Sequence, residues 1–314
     1  MISEINYDSK TLMKKPFPRL VKQGIVMDFG GEITPFVYKG RMMLMTQHWT
    51  DYFAHEGYAQ VIDYFDGTEY PPFARNAGYV SAYCENDVVY AFGTEDNRVC
   101  RYTSTDLEHW DKKTVLEFPE DFELFNTSVC KGDGIYMMAV ECAGAGTSKG
   151  RPVNNPYIGK PFTEFFASSE DLEKWDLLPL DDGYSKERYV ACPALRYSEG
   201  YYYMICLEAL PLTRYAPYIY RTKDFRTWEI GLYNPILLAS EEDRHPKPGA
   251  RLSERSADRL AVHMDINNSD VDLCEFKGKT YVLYQTGNQQ SDSTLCEAIY
   301  DGGMDQFLKS YFND

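Results

Sequence analysis

The sequence predicts an all-β fold, a single-domain five-bladed β-propeller with four antiparallel strands per blade, spanning 1–314. Three observations carry that expectation. A phrase recurs three times: Ser104-Thr-Asp106-Leu-Glu-His-Trp110, Ser169-Glu-Asp171-Leu-Glu-Lys-Trp175 and Thr222-Lys-Asp224-Phe-Arg-Thr-Trp228, with starts 65 and 53 residues apart. Self-similarity at a period of about 40–50 residues or a little more marks repeat arrays such as propellers. A second unit, apolar strand–polar turn–apolar strand, occurs five times, with turns at Lys39-Gly40, Glu85–Asp87, Gly132–Gly134, Ser198–Gly200 and Lys277-Gly278. Short turns rich in Gly, Asn and Asp between such runs read as hairpins. Aromatic residues make up 15% of the chain, 26 of them Tyr, which favours strands.

Each element follows from these repeats. In the three units that carry the phrase, a third strand leads into it and a fourth strand follows. Blade one is looser at its end, with a third strand over 59–65. Blade five has a third strand over 294–300, with Asp301–Phe307 after it. The expected blades span about 28–66, 75–118, 124–180, 187–238 and 265–307. Residues 239–264 form a charged insertion containing Pro246 and Pro248, of the length that lids and binding loops have. The irregular N-terminal segment is a candidate for closing the ring with an added strand. In the repeated phrase, the Asp is expected to hold its own turn through backbone N–H groups and the Leu and Trp to pack between sheets.

Bulk properties exclude several classes. A formal net charge of −16 argues against nucleic acid, which needs clustered Lys and Arg. No apolar run approaches the 18 residues of a membrane span, and the first residues, MISEINYDSKTLMKK, show no signal-peptide core. The eight Cys form no CxxC pair or zinc spacing and mostly sit in strand-like runs, which points to a reducing, cytoplasmic setting.

A propeller gathers two positions from every blade around one funnel: the start of the innermost strand and the end of the second. Counting eight residues back from each turn glycine gives Glu32, Asn126, Cys192 and Asp270, with Arg75-Asn76 as the blade-two counterpart. The second-strand ends give Gln47-His48-Trp49, Thr94-Glu95, Glu141, Glu208 and Gly287-Asn288-Gln289, and Arg188 lies just before the blade-four strand. Asp270 and Asp272, at i and i+2, are expected on one strand face. The run Asn268–Asp272 also offers oxygen ligands for a structural Ca²⁺ near the channel, though it does not match an EF-hand loop; otherwise no cofactor and no catalytic metal is expected.

These features resemble the five-bladed propeller glycoside hydrolases, the broad group of families 32, 43, 68, 117 and 130. The resemblance runs from about Gly30 to Phe307 and rests on the repeats, on Gly31-Glu32-Ile-Thr-Pro-Phe-Val-Tyr-Lys-Gly40, on Ala191-Cys192-Pro193-Ala194-Leu195 and on Ser269–Gly278. It implies a small-molecule carbohydrate ligand and an acid in blade one, a supporting Asp in blade three and an acid Glu opening blade four. Glu32 lies within about one residue of the first position; Asn126 and Ala191 stand where the other two would be. Glycoside hydrolysis needs a protonated and an ionised carboxyl on either side of the glycosidic oxygen. The expected catalytic set is therefore Glu32, Glu141, Glu208 and Asp270, with Asp270 or Glu32 as base or nucleophile and Glu208 as acid. His48 is an alternative acid; Arg75 and Arg188 are expected to bind hydroxyls or a carboxylate, Trp49 to stack a ring, and Asn126, Asp272 and Asn288 to assist binding. Two other readings stay open: a non-catalytic carbohydrate-binding propeller, and a phosphorylase or lyase using the same funnel.

Overall fold

The structure, a computed structural model, describes residues 18–28, 31–51, 56–120, 122–143, 162–185, 188–210, 214–254, 256, 258, 267–287 and 293–313. In chain order the strands are β1 (Leu20–Asp28), β2 (Ile33–Tyr38), β3 (Arg41–Asp51), β4 (Glu56–Asp63), β5 (Gly78–Glu85), β6 (Val88–Glu95), β7 (Arg98–Ser104), β8 (Asp111–Glu117), β9 (Glu123–Gly132), β10 (Ile135–Ala143), β11 (Thr163–Ser169), β12 (Asp176–Leu177), β13 (Val190–Ser198), β14 (Tyr201–Leu210), β15 (Arg214–Thr222), β16 (Trp228–Ile230), β17 (Pro246–Arg251), β18 (Asn267–Phe276), β19 (Lys279–Gly287) and β20 (Ser293–Tyr300), followed by helix α1 (Met304–Ser310). They form five sheets, β2-β3-β4, β5-β6-β7-β8, β9-β10-β11-β12, β13-β14-β15-β16 and β18-β19-β20-β1-β17, which are the five blades.

All five hairpins turn alike. The two central residues, Lys39-Gly40, Asn86-Asp87, Asp133-Gly134, Glu199-Gly200 and Lys277-Gly278, all have φ between 45° and 85°. That double left-handed step is the type I′ turn, whose twist matches the flanking strands. The repeated phrase builds a second turn after each third strand. Ser104 Oγ accepts from Leu107 N (2.8 Å), while Asp106 Oδ1 accepts from Glu108 N (2.9 Å) and His109 N (2.8 Å). Asp171 and Asp224 repeat the pattern. Each Trp then reaches the preceding blade: Trp110 stacks on Phe73 (3.8 Å between centroids), Trp175 meets Phe92 (5.9 Å) and Trp228 meets Phe166 (5.6 Å).

The core is accordingly divided among the seams. Five apolar clusters occupy the five blade-to-blade interfaces, for example Met137, Ala139 and Phe166 against Met204 and Cys206 between blades three and four. All eight Cys are free thiols. Among the described residues no helix is long and apolar enough to cross a membrane.

Three expectations change. Among the described residues blade one has three strands, its edge extended by isolated bridges from Phe73 and Glu69. The fourth strand of blade five is not Asp301–Phe307. That segment enters helix α1, because Phe307 and Leu308 with Tyr311 and Phe312 pack as one buried face. The fourth place is taken by β1, antiparallel to β20, so the N-terminal segment closes the ring. The insertion is not a free loop either. It forms a short 3-10 turn over Glu241–Arg244 and β17, which pairs in parallel with β1. Its buried Asp243 accepts from Lys22 Nζ (2.5 Å), Asn268 Nδ2 (3.0 Å) and Tyr284 Oη (2.7 Å), tying the insertion to β1, β18 and β19.

Candidate functional site

The innermost strands β5, β13 and β18 share one irregularity. Their pairing shifts between Gly78 and Ser81, Ala191 and Ala194, and Ser269 and Asp272. At each bulge one residue takes a left-handed conformation: Tyr79 (φ 53°), Cys192 (φ 53°) and Asp270 (φ 48°). Bulges re-aim side chains and recur beside functional sites. Each of these residues lies eight positions before the second residue of its type I′ turn, as do Glu32 and Asn126. The blade-two counterpart is therefore Tyr79, not Arg75-Asn76. The signal was present in the sequence: Asn86-Asp87 serves as the turn pair, with Asp87 in the place of the glycine.

These five residues line one cleft of about 310 Å³, mouth included, together with Asp272. Asn126 Nδ2 donates to Glu32 Oε2 (2.6 Å). Asp270 Oδ1 accepts from the Cys192 thiol (2.9 Å) and Oδ2 from the Ser269 hydroxyl (2.6 Å). Glu141, behind the cleft wall, accepts from Cys192 N (2.7 Å) and so holds the blade-four bulge. One carboxylate oxygen each from Glu32 and Asp270 and the Cys192 sulfur lie within 4.8 Å of one another.

Burial pushes the Glu32 carboxyl well above the ordinary range, and the Asp270 and Glu141 charges push it further; the Asn126 hydrogen bond opposes them. Burial also raises Asp270, against the two donors on its oxygens. Burial pushes Glu141 up to about 8, the Cys192 N–H opposing and the Asp270 charge assisting. Arg196, which sequence reasoning missed, donates to Asp272 and to Leu273 O (2.5 Å) and balances the Asp272 charge at the cleft.

Other expected residues lie elsewhere. Glu208 shares the face of β14 that carries Met204 and Cys206, so it turns into the seam between blades three and four, where Arg188 binds it. Neither lines the cleft with Glu32 and Asp270. In the same seam, Glu164 is fully buried with neither carboxylate oxygen hydrogen-bonded, and burial and the Glu141 charge hold it well above its ordinary pKa. It too was missed, because a single Glu in the apolar run Thr163–Ser169 carries no pattern. Arg75 is exposed over the Tyr58 ring at 6.0 Å. His48 stacks on the same ring, Tyr58 (4.9 Å), and lines a neighbouring cavity.

Trp49 meets Tyr79 edge-on (5.1 Å) and does not itself line the cleft. Its indole needs two glycines: a Cβ on Gly31 would stand 2.8 Å from Nε1, and one on Gly78 2.8 Å from the six-membered ring. Asn288 lies outside the described residues. Asn268 engages Lys22 and Asp243, and Asp272 engages Arg196, which removes two of the oxygen donors the Ca²⁺ reading requires. The remaining metal-capable group among the described residues is Glu32, Cys192 and Asp270, whose thiol acts as a hydrogen-bond donor and is held far above its ordinary pKa by burial.

The chain matches no protein-family model and no curated protein sequence. Its fold is similar to that of many solved structures. An α-L-arabinofuranosidase from Podospora anserina, solved with cellotriose, superposes with a TM-score of 0.60 over 90% of this chain and 96% of that one, at 10% identity. A family 43 glycoside hydrolase from Bacillus licheniformis gives 0.57 over 89% and 54%, at 13% identity. A family 32 β-fructofuranosidase from Bombyx mori gives 0.54 over 92% and 64%, at 14% identity. The chain therefore has the five-bladed propeller fold seen in these glycoside hydrolases.

Proposed function

We propose that the chain is a retaining glycoside hydrolase acting on a neutral glycoside or oligosaccharide, with Glu32 and Asp270 as its two carboxyls. One observation carries this: two half-buried carboxyls from different blades line one polar cleft, with an oxygen of each within 4.8 Å of the other. Carboxyls about 5–5.5 Å apart suit a covalent intermediate, whereas inversion needs about 6.5–9.5 Å to admit a water. Their surroundings also differ in the required sense. Burial and the Asp270 charge raise the Glu32 pKa, which favours its protonated form. Asp270 receives an S–H and an O–H donor, which suit its ionised form.

In the first step Asp270 attacks the anomeric carbon while Glu32 gives its proton to the glycosidic oxygen, and the alcohol leaves. In the second, Glu32 takes a proton from water, which attacks the same carbon and releases Asp270. Arg196 is engaged by Asp272, and Arg75 and Arg188 lie away from the cleft, so among the described residues no free guanidinium is offered to a phosphate or uronate. This disfavours a phosphorylase. The free thiols support a reducing compartment. A non-catalytic carbohydrate-binding role is favoured by one feature, Asn126 and Ala191 in place of two acids of the resembled families.

The test is a panel of aryl glycosides and oligosaccharides with Glu32→Gln, Asp270→Asn and Glu208→Gln alongside the wild-type chain. We expect turnover by wild type, a loss of at least about 10³-fold in both cleft variants and a smaller loss in Glu208→Gln. Sugar binding without turnover supports the second role; turnover that survives both cleft substitutions refutes the site.

A further inference from the structure

The ring-closing strand β1, the insertion and the innermost strand β18 meet away from the cleft at one cluster, Lys22, Asp243 and Asn268. Its arrangement is more specific than an ion pair requires. Lys22 Nζ donates to Asn268 Oδ1 (3.0 Å), which puts it no more than about 4.2 Å from the amide carbon, the C=O bond being about 1.23 Å long. Asp243 Oδ2 touches both side-chain nitrogens: it accepts from Lys22 Nζ (2.5 Å) and from Asn268 Nδ2 (3.0 Å). Tyr284 Oη donates to the other oxygen, Oδ1 (2.7 Å), and fixes the carboxylate. An amine beside an amide carbon, with one carboxylate oxygen in reach of the proton to be removed and of the nitrogen to be expelled, has the parts of an amide exchange under general acid–base catalysis.

The surroundings favour the exchange. Asp243 is 1% and Asn268 0% exposed, and the ring of the fully buried Tyr284 lies 5.5 Å from Lys22 Nζ. Holding a charge pair in such a place costs desolvation, whereas the amide that replaces it is neutral. The Lys22 side chain keeps 13% of its surface exposed, which leaves a small leaving group a way out. The groups are also held together by the fold, so the reaction is intramolecular.

We propose that Lys22 and Asn268 join in an autocatalytic isopeptide bond, with Asp243 as its general acid–base, and so staple β1 to β18. Lys22 Nζ passes one proton to Asp243 Oδ2, and its freed lone pair bonds to Asn268 Cγ while the carbonyl π pair moves onto Oδ1. Asp243 gives that proton to Asn268 Nδ2 and takes a second one from Nζ. The pair on Oδ1 then re-forms the carbonyl, the Cγ–Nδ2 bond breaks with its electrons on nitrogen, and ammonia leaves. The products are a neutral secondary amide and a protonated Asp243. The bond closes the ring covalently between residues 246 positions apart, and a cross-link restricts the unfolded chain more the longer the loop it closes. It also gives the insertion a role, since it supplies the catalytic carboxyl. None of this depends on the hydrolase reading.

The experiment is intact-mass and peptide-mapping mass spectrometry of the full wild-type chain, freshly purified and after one week at neutral pH. Its mass should fall below the sequence mass by one ammonia. A tryptic digest should yield one branched peptide joining the segments around Lys22 and Asn268, with no cleavage after Lys22. Wild type held in denaturant should keep its full mass. Lys22→Arg, which keeps a cation beside Asp243 but has no amine to react, and Asn268→Ala should keep theirs. Asp243→Asn, checked for its fold by circular dichroism, should form the bond at least about 100-fold more slowly, the scale of general acid–base catalysis. A folded wild-type chain that keeps its full mass overturns the proposal without recourse to any variant. Ammonia loss mapped to another residue, or loss of water with Lys22 joined to Asp243, overturns it equally. An undiminished rate in folded Asp243→Asn overturns the role given to Asp243.

Discussion

Replacing Glu141 by Gln should make the protein more stable at alkaline pH than the wild-type chain, although the site of the change is fully buried. Glu141 is 3% exposed, faces the seam between blades three and four, and has one hydrogen-bond donor, Cys192 N at 2.7 Å. Burial lifts its pKa from 4.5 to about 8. In the unfolded chain the carboxyl ionises near 4.5, so between pH 4.5 and 8 the folded state binds one more proton. The stabilisation is complete below pH 4.5 and is lost as pH rises to 8, at about 1.4 kcal/mol per pH unit, or about 5 kcal/mol across the window. Glutamine keeps the carbonyl that accepts from Cys192 N and never ionises. The assay is urea denaturation of both proteins at pH 5, 6, 7 and 8, followed by tryptophan fluorescence. The two curves should diverge steadily with pH, Glu141→Gln gaining several kcal/mol by pH 8. Parallel curves would show that Glu141 ionises normally in the folded protein, and the electrostatic account of the blade-four bulge would fail with it.

Other outcomes follow from the same geometry. Activity should fall as pH rises through the elevated pKa of Glu32, since the acid must be protonated, and that alkaline limb should vanish in Glu32→Gln; a limb that persists unchanged assigns it to another group. Gly78→Ala would place a Cβ 2.8 Å from the Trp49 ring, so the indole emission should shift and sugar affinity should weaken, whereas an unchanged spectrum would mean the ring yields without cost. Lys22→Met leaves the buried Asp243 carboxylate without its cation and should destabilise the fold by about 3–5 kcal/mol in denaturant titrations. A loss under about 1 kcal/mol would show that Asn268 and Tyr284 suffice.

Much of the architecture was legible in the chain. The type I′ turns repeat, and once one turn is placed, an eight-residue step leads to the cleft residue of each blade. The step failed only at blade two, where Asp87 takes the left-handed conformation that glycine takes elsewhere. The second-strand ends were a weaker guide, because side-chain parity decides where they point. Glu208 follows Met204 and Cys206 on the face packed against blade three, so an acidic strand end became a seam residue. Arg196 and Glu164 gave no signal: each is a single charged residue in an apolar strand, and its meaning comes from a partner or neighbour, Asp272 or Glu141, far away in sequence or on the next strand. The N-terminal segment was a legible candidate for closing the ring, but its place beside β20 was not, since only three-dimensional closure shows which edge lacks a strand.

The central claim is that Asp270 attacks the sugar while Glu32 protonates the leaving oxygen. The most direct measurement is peptide-mapped mass spectrometry after incubation with 2-deoxy-2-fluoro glycosyl fluorides of the sugars found to be substrates, which slow release of a covalent intermediate more than its formation. The account predicts one glycosyl adduct, carried by the peptide containing Asp270 and absent from Asp270→Asn. An adduct on another residue, or hydrolysis that proceeds with no adduct and inverted anomeric configuration, would contradict it.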